Sequence, residues 1–339
     1  MWRAFQRVNP ALDHPFLSFA FAFAASKVND LVRIGVLQRD GQAIGFLPFQ
    51  FASDFDRILG AAEPIALSDH FALVTSPDVF IAPEQLLDSF GLSAMQFRHL
   101  GADLERTGLA GNGKEIGLRL PLTGSETCSN QLKVSNREFA SQLERKERAA
   151  VRKLGELRFS FKSEDTTFEL ERIIGVKRQQ YKRTNVRDSL SEPWRVGFLK
   201  SLFDNSDASC TPVLSTLYAG DTWLASHLGL LSERILHQWF PVYSMEHSSY
   251  SAGHILTKRM LDHAQAMGVT SFDFGGFGDY KLHFRPERYE MTSGSWTKSN
   301  VSSFVSRVKN SVRWRIRSAV GSYGRWASRE RNGTNVDAV

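Results

Sequence analysis

The chain has 339 residues, of which 42% are hydrophobic and 23% are charged, and its formal net charge is +6. This length exceeds the usual domain of about 100 to 200 residues, so two domains are expected. No apolar run reaches the ~20 residues that a membrane-spanning helix needs, no cleavable leader is recognisable, and two cysteines exclude a disulfide framework or a cysteine-based metal site. We therefore expect a cytoplasmic enzyme without a bound metal.

The N-terminal part predicts a helix near residues 14–27, followed by strands at 32–38 and 43–51. Asp40-Gly41 stands between the two strands, and Asp-Gly between alternating apolar runs is typical of a tight hairpin. We expect a helix and a hairpin here.

The middle of the chain begins with residues 108–129, which are polar, glycine-rich and poorly periodic, as in a linker or a connecting edge. The residues from Ser135 to Glu138 have the pattern of a capping box that opens a helix ending near Gly155. The basic residues of this helix are interpreted as a solvated face: Arg145, Lys146, Arg148, Arg152 and Lys153.

Two further helices are expected, at residues 165–181 and from Pro193 onward. The segment 214–229 then repeats the plan of the first hairpin, with Gly220-Asp221 at the turn. Two hairpins of one design, each preceded by helical sequence, indicate a degenerate tandem of two similar α/β units.

A helix is predicted after Ser251, because apolar residues recur at helical spacing and Gly268 stands where a left-handed cap is expected. Ser251, Ala252 and Gly253 are small, so a ligand can approach the backbone closely. The first N–H groups of a helix lack internal partners and carry the positive end of its dipole, which suits a phosphate. An ordinary helix cap is the alternative interpretation.

The next element is a short strand, Phe272-Asp-Phe-Gly, in which Asp273 should point away from the two phenylalanine rings. Glycines end the strand, and Asp279, Tyr280 and Lys281 follow. An ordinary surface loop is the alternative, but the preceding helix start favours an active-site turn.

These stretches, with Trp239-Phe-Pro-Val-Tyr243 and Asp279-Tyr-Lys-Leu-His-Phe284, resemble the GNAT-type acyltransferases of the CelD/BcsL group, which are linked to cellulose and exopolysaccharide biosynthesis. The resemblance covers residues 135–300 well and 10–125 loosely. Members of that group continue the strand with Arg-Gly-Asp-Glu-x-Tyr-Lys. Here the Arg and the Glu are absent, and Tyr280-Lys281 is retained. The resemblance also implies an alternative role for the basic cluster at 145–153, because members carry basic residues there near an anionic acceptor or donor.

The resemblance implies a mixed α/β sheet flanked by helices, in which two adjacent strands splay apart around an acyl-CoA. It divides the chain into a degenerate GNAT-like domain at 1–125, an acyltransferase domain at 130–297 and a C-terminal tail at 298–339. It also implies acetyl-CoA or a longer acyl-CoA as the donor, bound by the following residues: Val242, Tyr243, Ser251, Ala252, Gly253 and His254.

Acyl transfer needs a base for the nucleophile and an acid for the leaving thiolate. His227 is the leading candidate for the base and Asp273 the alternative, although a core histidine is an equally plain interpretation of His227. Tyr280 is the candidate acid, and Lys281 binds a phosphate or pairs with Asp279. The acceptor site is assigned to His237, Asp279 and Arg285.

The tail concentrates the positive charge, because residues 298–331 carry a net +8 against +6 for the whole chain. Valine and aromatic residues alternate with these cations, as in a helix that lies on an anionic membrane surface. A terminal helix packed on the enzyme is the alternative. No motif indicates binding to a specific nucleic acid.

Three functions follow from these observations. The first is an acyl-CoA-dependent acyltransferase that modifies a saccharide or a cell-envelope precursor. The second is a FemAB-like transferase that uses aminoacyl-tRNA. The third is an inactive scaffold that docks on a polysaccharide synthase or on the inner face of the membrane.

Overall fold

The structure is a computed structural model, and it describes residues 1–101, 107–124 and 126–298. Only Lys298 of the predicted tail falls within these ranges. The amphipathic helix expected at residues 298–331 otherwise lies outside the described residues.

The described residues form a mixed sheet with helices on both of its faces, as the sequence predicts. The helices are α1 (Trp2–Val8), α2 (Phe19–Ser26), α3 (Asp54–Leu59), α4 (Pro83–Ser89), α5 (Cys128–Ser135), α6 (Arg137–Leu154), α7 (Thr166–Arg183), α8 (Pro193–Asp204) and α9 (Ala252–Ala266). The strands are β1 (Val32–Arg39), β2 (Gln42–Phe51), β3 (Ala61–Glu63), β4 (Val74–Thr75), β5 (Ala94–Gly101), β6 (Gly113–Pro121), β7 (Leu157–Ser160), β8 (Thr211–Ala219), β9 (Thr222–Leu231), β10 (Ile235–Tyr243), β11 (Ser271–Gly276) and β12 (Glu287–Thr297).

The sheet order is β1-β2-β3-β5-β12-β6-β11-β10-β9-β8-β7, with β4 paired to β2. Each half contains the same unit, which is an antiparallel run of three strands, a helix and a parallel strand. In the first unit β1, β2 and β3 lead through α4 to β5. In the second unit β8, β9 and β10 lead through α9 to β11. The topology therefore confirms the repeated plan that the two hairpins predict.

The strand that follows each unit in the chain pairs with the other unit. β6, which follows the first unit, pairs antiparallel with β11 of the second, and β12, which follows the second unit, pairs antiparallel with β5 of the first. β6 and β12 also pair with each other and join the halves into one sheet. The prediction of a linker at residues 108–129 is wrong, since this segment supplies a central strand. The domain boundaries at 125 and 130 stay a prediction, and the sheet runs across them.

Two local predictions were also wrong. The capping box at Ser135 does not form, because Ser135 is the last residue of α5 and α6 begins after Asn136, whose side chain makes no capping hydrogen bond. The predicted helix at 14–27 starts only at Phe19, after two short 3-10 turns that place His14 between them.

The core is divided between the faces of the sheet. Phe272 and Phe274 pack toward α9 together with buried residues of α5 and α6. On the opposite face, Phe16, Phe21 and Trp239 pack with α7 and α8. None of the helices in the described part of the chain combines the length and apolarity that a membrane span requires.

Candidate functional site

The parallel strands β10 and β11 pair only over their first three residues, and the last pair is His237 and Asp273. Beyond that pair β10 continues to Tyr243 and β11 to Gly276. The register of β10 against β9 also shifts between Gln238 and Phe240, and such a bulge bends a strand away from its ladder. The two strands therefore open a wedge whose apex is the pair His237 and Asp273.

Strand alternation places the apex side chains on the face opposite α9. Gln238 bonds to Thr257 of α9, so its neighbour His237 points the other way. Asp273 likewise points away from Phe272 and Phe274, as predicted. On this face the apex meets the N-terminal half of the chain.

Three side chains from other parts of the chain converge on Asp273. The Nε2 atoms of His14 and His70 each lie 3.0 Å from Asp273 Oδ2. Tyr289 of β12 donates its hydroxyl to Asp273 at 3.1 Å, and Gly275 N donates to Asp273 Oδ1 at 2.7 Å. Burial alone would raise the pKa of Asp273, but the charge of His237 and the hydrogen bonds from the histidines hold it well below its usual range. A carboxylate with its lone pairs occupied in this way is a poor general base, so the structure does not support that role for Asp273.

His237 lies between two carboxylates. Its Nε2 is 3.1 Å from Asp69 Oδ2, and its Nδ1 is 3.3 Å from Asp273 Oδ2. Although burial disfavours the charged imidazole, Asp273 and Asp69 raise the pKa of His237 to about 9. The side chain is fully buried, and among the described residues its Nδ1 has no hydrogen-bond partner, since the contact with Asp273 lies outside hydrogen-bond geometry.

The rings at the apex are stacked closely. The His14 and His70 ring centroids are 3.7 Å apart, and the Tyr289 ring is parallel to that of His70. Burial and the contact with His70 lower the pKa of His14 to about 3, whereas burial and the Asp273 carboxylate raise the pKa of Tyr289. Both side chains are therefore uncharged at neutral pH.

His227, the predicted base, does not face the wedge. It is fully buried, and its Nε2 accepts a hydrogen bond from Trp239 N at 3.3 Å. Trp239 lies in the bulge of β10, where the ladder with β9 is interrupted, so His227 satisfies a backbone donor that the bulge frees. Burial lowers the pKa of His227 to about 3. Its burial and this hydrogen bond match the interpretation of His227 as a core histidine, and its role as a base stays a prediction.

The residues predicted to hold a phosphate lie at the start of α9. Ser251 precedes the helix with φ of 53°, and its side chain does not cap the helix. Its Oγ instead accepts a hydrogen bond from Lys146 Nζ of α6 at 2.6 Å. Ala252 is buried, and the nearest atom to a Cβ added at Gly253 would be Tyr243 Cδ1, at 3.7 Å. The helix N-terminus therefore has a lysine beside it and open backbone in front.

Other predicted donor residues surround this helix start. Val242 is buried in β10, and Tyr243 at its end is 41% exposed. His254 lies in the first turn of α9, with its ring centroid 6.3 Å from that of Tyr280. Burial and the neighbouring His283 lower the pKa of His254 to about 4. Val242, Tyr243 and His254 thus lie close to the start of α9.

The turn after β11 holds the remaining predicted residues. Lys281 Nζ donates hydrogen bonds to Phe274 O and Gly276 O, at 2.6 and 2.7 Å, and so fastens the end of β11. It does not pair with Asp279, which is exposed. Arg285 is also exposed and lines a separate cavity of about 190 Å³ next to α5 and α9.

Sequence reasoning missed His14, His70, Asp69 and Tyr289. The sequence carries no spacing motif for them, because they lie up to 275 positions from one another. One weak signal exists: His14 and His70 each stand beside an aspartate in a non-periodic segment between apolar runs.

Residues 137–289 match the family model described as an acetyltransferase (GNAT) domain. This segment is therefore similar to GNAT acetyltransferase domains. It contains α6 to α9, the wedge and Tyr289, whereas His14, Asp69 and His70 lie outside it. No curated protein matches the chain in sequence.

Solved structures share the fold over most of the chain. FemX is 13% identical and covers 86% of this chain and 94% of its own, with a TM-score of 0.56. The C-terminal domain of an Agrobacterium fabrum protein described as a lysylphosphatidylglycerol synthetase is 12% identical. The match covers 91% of this chain and 96% of that domain, with a TM-score of 0.52. A conserved protein from Bacteroides thetaiotaomicron is 8% identical and covers 88% and 98%, with a TM-score of 0.51. At such identities the likeness establishes the fold alone.

Proposed function

We propose that the chain is an acyl-CoA-dependent N- or O-acyltransferase that modifies a saccharide or a precursor of the cell envelope. The observation that carries the proposal is the wedge, in which β10 and β11 separate after His237 and Asp273 while both strands continue. Separated strands expose backbone donors and acceptors between them, and a pantetheine chain with its amides can pair with these groups. Acetyl-CoA is the first donor to test.

The pyrophosphate of the donor belongs at the start of α9. The first N–H groups of this helix face outward, and the helix dipole favours an anion there. Lys146 adds a positive charge within hydrogen-bond distance of Ser251. Lys146 belongs to the basic residues of α6 that the sequence predicts to be a solvated face. We assign this one cation of the group to the donor site.

Proton transfer is assigned to Tyr280. The acceptor oxygen or nitrogen attacks the thioester carbon, the C–S bond breaks, and the leaving thiolate takes the hydroxyl proton of Tyr280. The acceptor releases its own proton to water, and Tyr280, which is 46% exposed, regains a proton from solvent. Lys281 holds the end of β11 in place during this step, and the acceptor approaches over Asp279.

The donor site is tested by calorimetric titration with acetyl-CoA and longer acyl-CoAs. We expect the wild type to bind and Gly253→Glu to lose binding, because a carboxylate at the helix start repels the pyrophosphate. Lys146→Ala should weaken binding about 10- to 150-fold, since a charge-assisted hydrogen bond contributes about 1.5–3 kcal/mol. Lys153→Ala is the matched control, because Lys153 is exposed on the same helix.

Absence of binding by the wild type would contradict the proposal. The similarity of the whole fold to FemX favours a FemAB-like aminoacyl transfer as the second candidate, with aminoacyl-tRNA as the donor. Transfer of a labelled amino acid from aminoacyl-tRNA would establish it. Failure of both donors would favour a scaffold that docks on a polysaccharide synthase.

Residues 298–331 are proposed to hold the enzyme at the inner face of the membrane through their positive charge. Flotation with vesicles that contain anionic phospholipid tests this, using the full chain and a chain that ends at residue 297. Equal recovery of the two would contradict membrane association.

A further inference from the structure

His14, His70, His237 and Asp273 form a compact set of metal-ligand types at the apex of the wedge. Each offers one ligand atom, and these four atoms all lie within 4.8 Å of one another. Three of the side chains are buried, and His70 is partly buried. The sequence predicts no metal, because it has only two cysteines and shows no metal-ligand spacing.

More groups face Asp273 Oδ2 than this one oxygen can accept hydrogen bonds from. His14 Nε2 and His70 Nε2 at 3.0 Å, the Tyr289 hydroxyl at 3.1 Å and His237 Nδ1 at 3.3 Å all face Asp273 Oδ2. One carboxylate oxygen has about two lone-pair sites. His237 Nδ1 consequently stays without a hydrogen bond although its side chain is fully buried, which costs free energy in a protein interior.

A cation among these atoms accounts for their convergence. Metal bonds of 2.0–2.2 Å to nitrogen and oxygen in a tetrahedral site set ligand atoms about 3.3 Å apart. The observed separations between Asp273 Oδ2 and the three histidine nitrogens are 3.0, 3.0 and 3.3 Å. These three separations are close to those of a metal site, and the nitrogen–nitrogen separations, all within 4.8 Å, must shorten when the ion binds.

The surroundings of His237 are those of a metal ligand. Its Nε2 lies 3.1 Å from Asp69 Oδ2, and a histidine that binds a metal usually donates its other ring N–H to a carboxylate or a carbonyl. When a metal ion displaces the proton of Nδ1, this contact keeps the other proton on Nε2, and the lone pair of Nδ1 then points toward the cluster. His14 Nδ1 is 3.4 Å from Phe16 N, and we expect this long contact to open when Nε2 coordinates, because the ring proton then moves to Nδ1.

We propose that His14, His70, His237 and Asp273 bind a divalent first-row transition-metal ion, with Zn²⁺ as the best match. Imidazole and carboxylate ligands suit this class of ion, and four protein ligands make a closed, structural type of site. His14 and His70 lie in the N-terminal half and His237 and Asp273 in the GNAT domain, so the ion joins the two. The proposal is independent of the acyl donor.

Metal analysis of the full chain tests the site, after removal of any histidine tag. We expect about one zinc ion per chain in the wild type, as a closed four-ligand site implies. A strong chelator should lower the melting temperature, and Zn²⁺ alone should restore it. His14→Ala and His70→Ala should each lose the metal, whereas His263→Ala, which removes an exposed histidine of α9, should keep it.

A second measurement does not depend on the folding of variants. Metal-free wild type titrated with Co²⁺ should develop the visible absorption of a tetrahedral site, and Zn²⁺ should abolish it. A wild type that contains no metal, keeps its melting temperature in chelator and gives no Co²⁺ spectrum would overturn the proposal. Acetyl-CoA titration of the wild type as purified, without chelator, tests the donor site separately, because it reports on α9 and Lys146.

Discussion

His237 and Asp273 are the last residues at which β10 and β11 lie side by side, and both point away from α9. This pair thus marks the apex of the wedge, and it contacts the two histidines, His14 and His70, that come from the N-terminal half. Because the wedge and the cluster share these two residues, a change in the N-terminal half can alter the geometry of the wedge.

Replacing His227 should reduce stability. His227→Ala removes the acceptor for Trp239 N in the bulge of β10, and an unsatisfied buried N–H costs about 1–3 kcal/mol. Urea denaturation measures the loss, and His227→Gln should lose less, because its amide oxygen can accept the same bond. A fall in turnover of folded His227→Gln by about 10²–10⁴ would instead restore His227 as the general base.

The packing of Tyr289 on β6 should tolerate no side chain at Gly117. A Cβ there would come within 2.1 Å of Tyr289 Cζ, so Gly117→Ala must displace the ring and should cost about 1–3 kcal/mol. Gly175→Ala on α7, where a Cβ meets nothing within 4 Å, should be stabilising by about 0.5–1 kcal/mol. Equal melting temperatures for the two variants would contradict the close approach of Tyr289.

The carboxylate of Glu169 should contribute strongly to stability. It is buried and accepts hydrogen bonds from Arg172 Nη1 and Tyr218 at 2.7 Å and from Ser226 at 3.1 Å. Glu169→Ala leaves the guanidinium without its partner, and loss of one member of a buried pair costs about 3–5 kcal/mol. Glu171→Ala, an exposed residue of the same helix, should change the free energy of unfolding by less than about 0.5 kcal/mol.

The titration of Lys177 should make the free energy of unfolding rise with pH in the alkaline range. Burial and the nearby Lys281 lower its pKa from 10.5 to about 8 in the folded chain. Between these two values the unfolded chain binds more protons, so the free energy of unfolding increases with pH, and the penalty of the charged lysine is fully present below about pH 8. Denaturation from pH 7.5 to 10.5 should show this rise in the wild type.

The rise should be smaller in Lys177→Met, which has no titrating group at this position. Lys182→Met is the matched control, because Lys182 is exposed on the same helix, and it should keep the wild-type slope. An identical pH dependence in Lys177→Met and the wild type would show that Lys177 has a normal pKa in the folded chain.

The sequence by itself determined the elements that depend on neighbours along the chain. Asp40-Gly41 and Gly220-Asp221 predicted two hairpins that form, and Gly268 has the expected positive φ after α9. The start of α9, the strand at 271–276 and the opposite orientations of Asp273 and Phe272 also follow from local spacing. Turn chemistry and side-chain period act over a few residues, so the sequence displays them directly.

Only the tertiary structure decided which distant segments meet. Residues 113–121 are too rich in glycine and charge to indicate a strand, and they form one because β11 and β12 supply backbone partners on both sides. The same folding brings His14 and His70 to His237 and Asp273, and places His227 beneath a bulge. Hydrogen-bond partners and metal ligands are chosen by distance in space, and the pairing of β6 and β12 with the opposite units sets those distances.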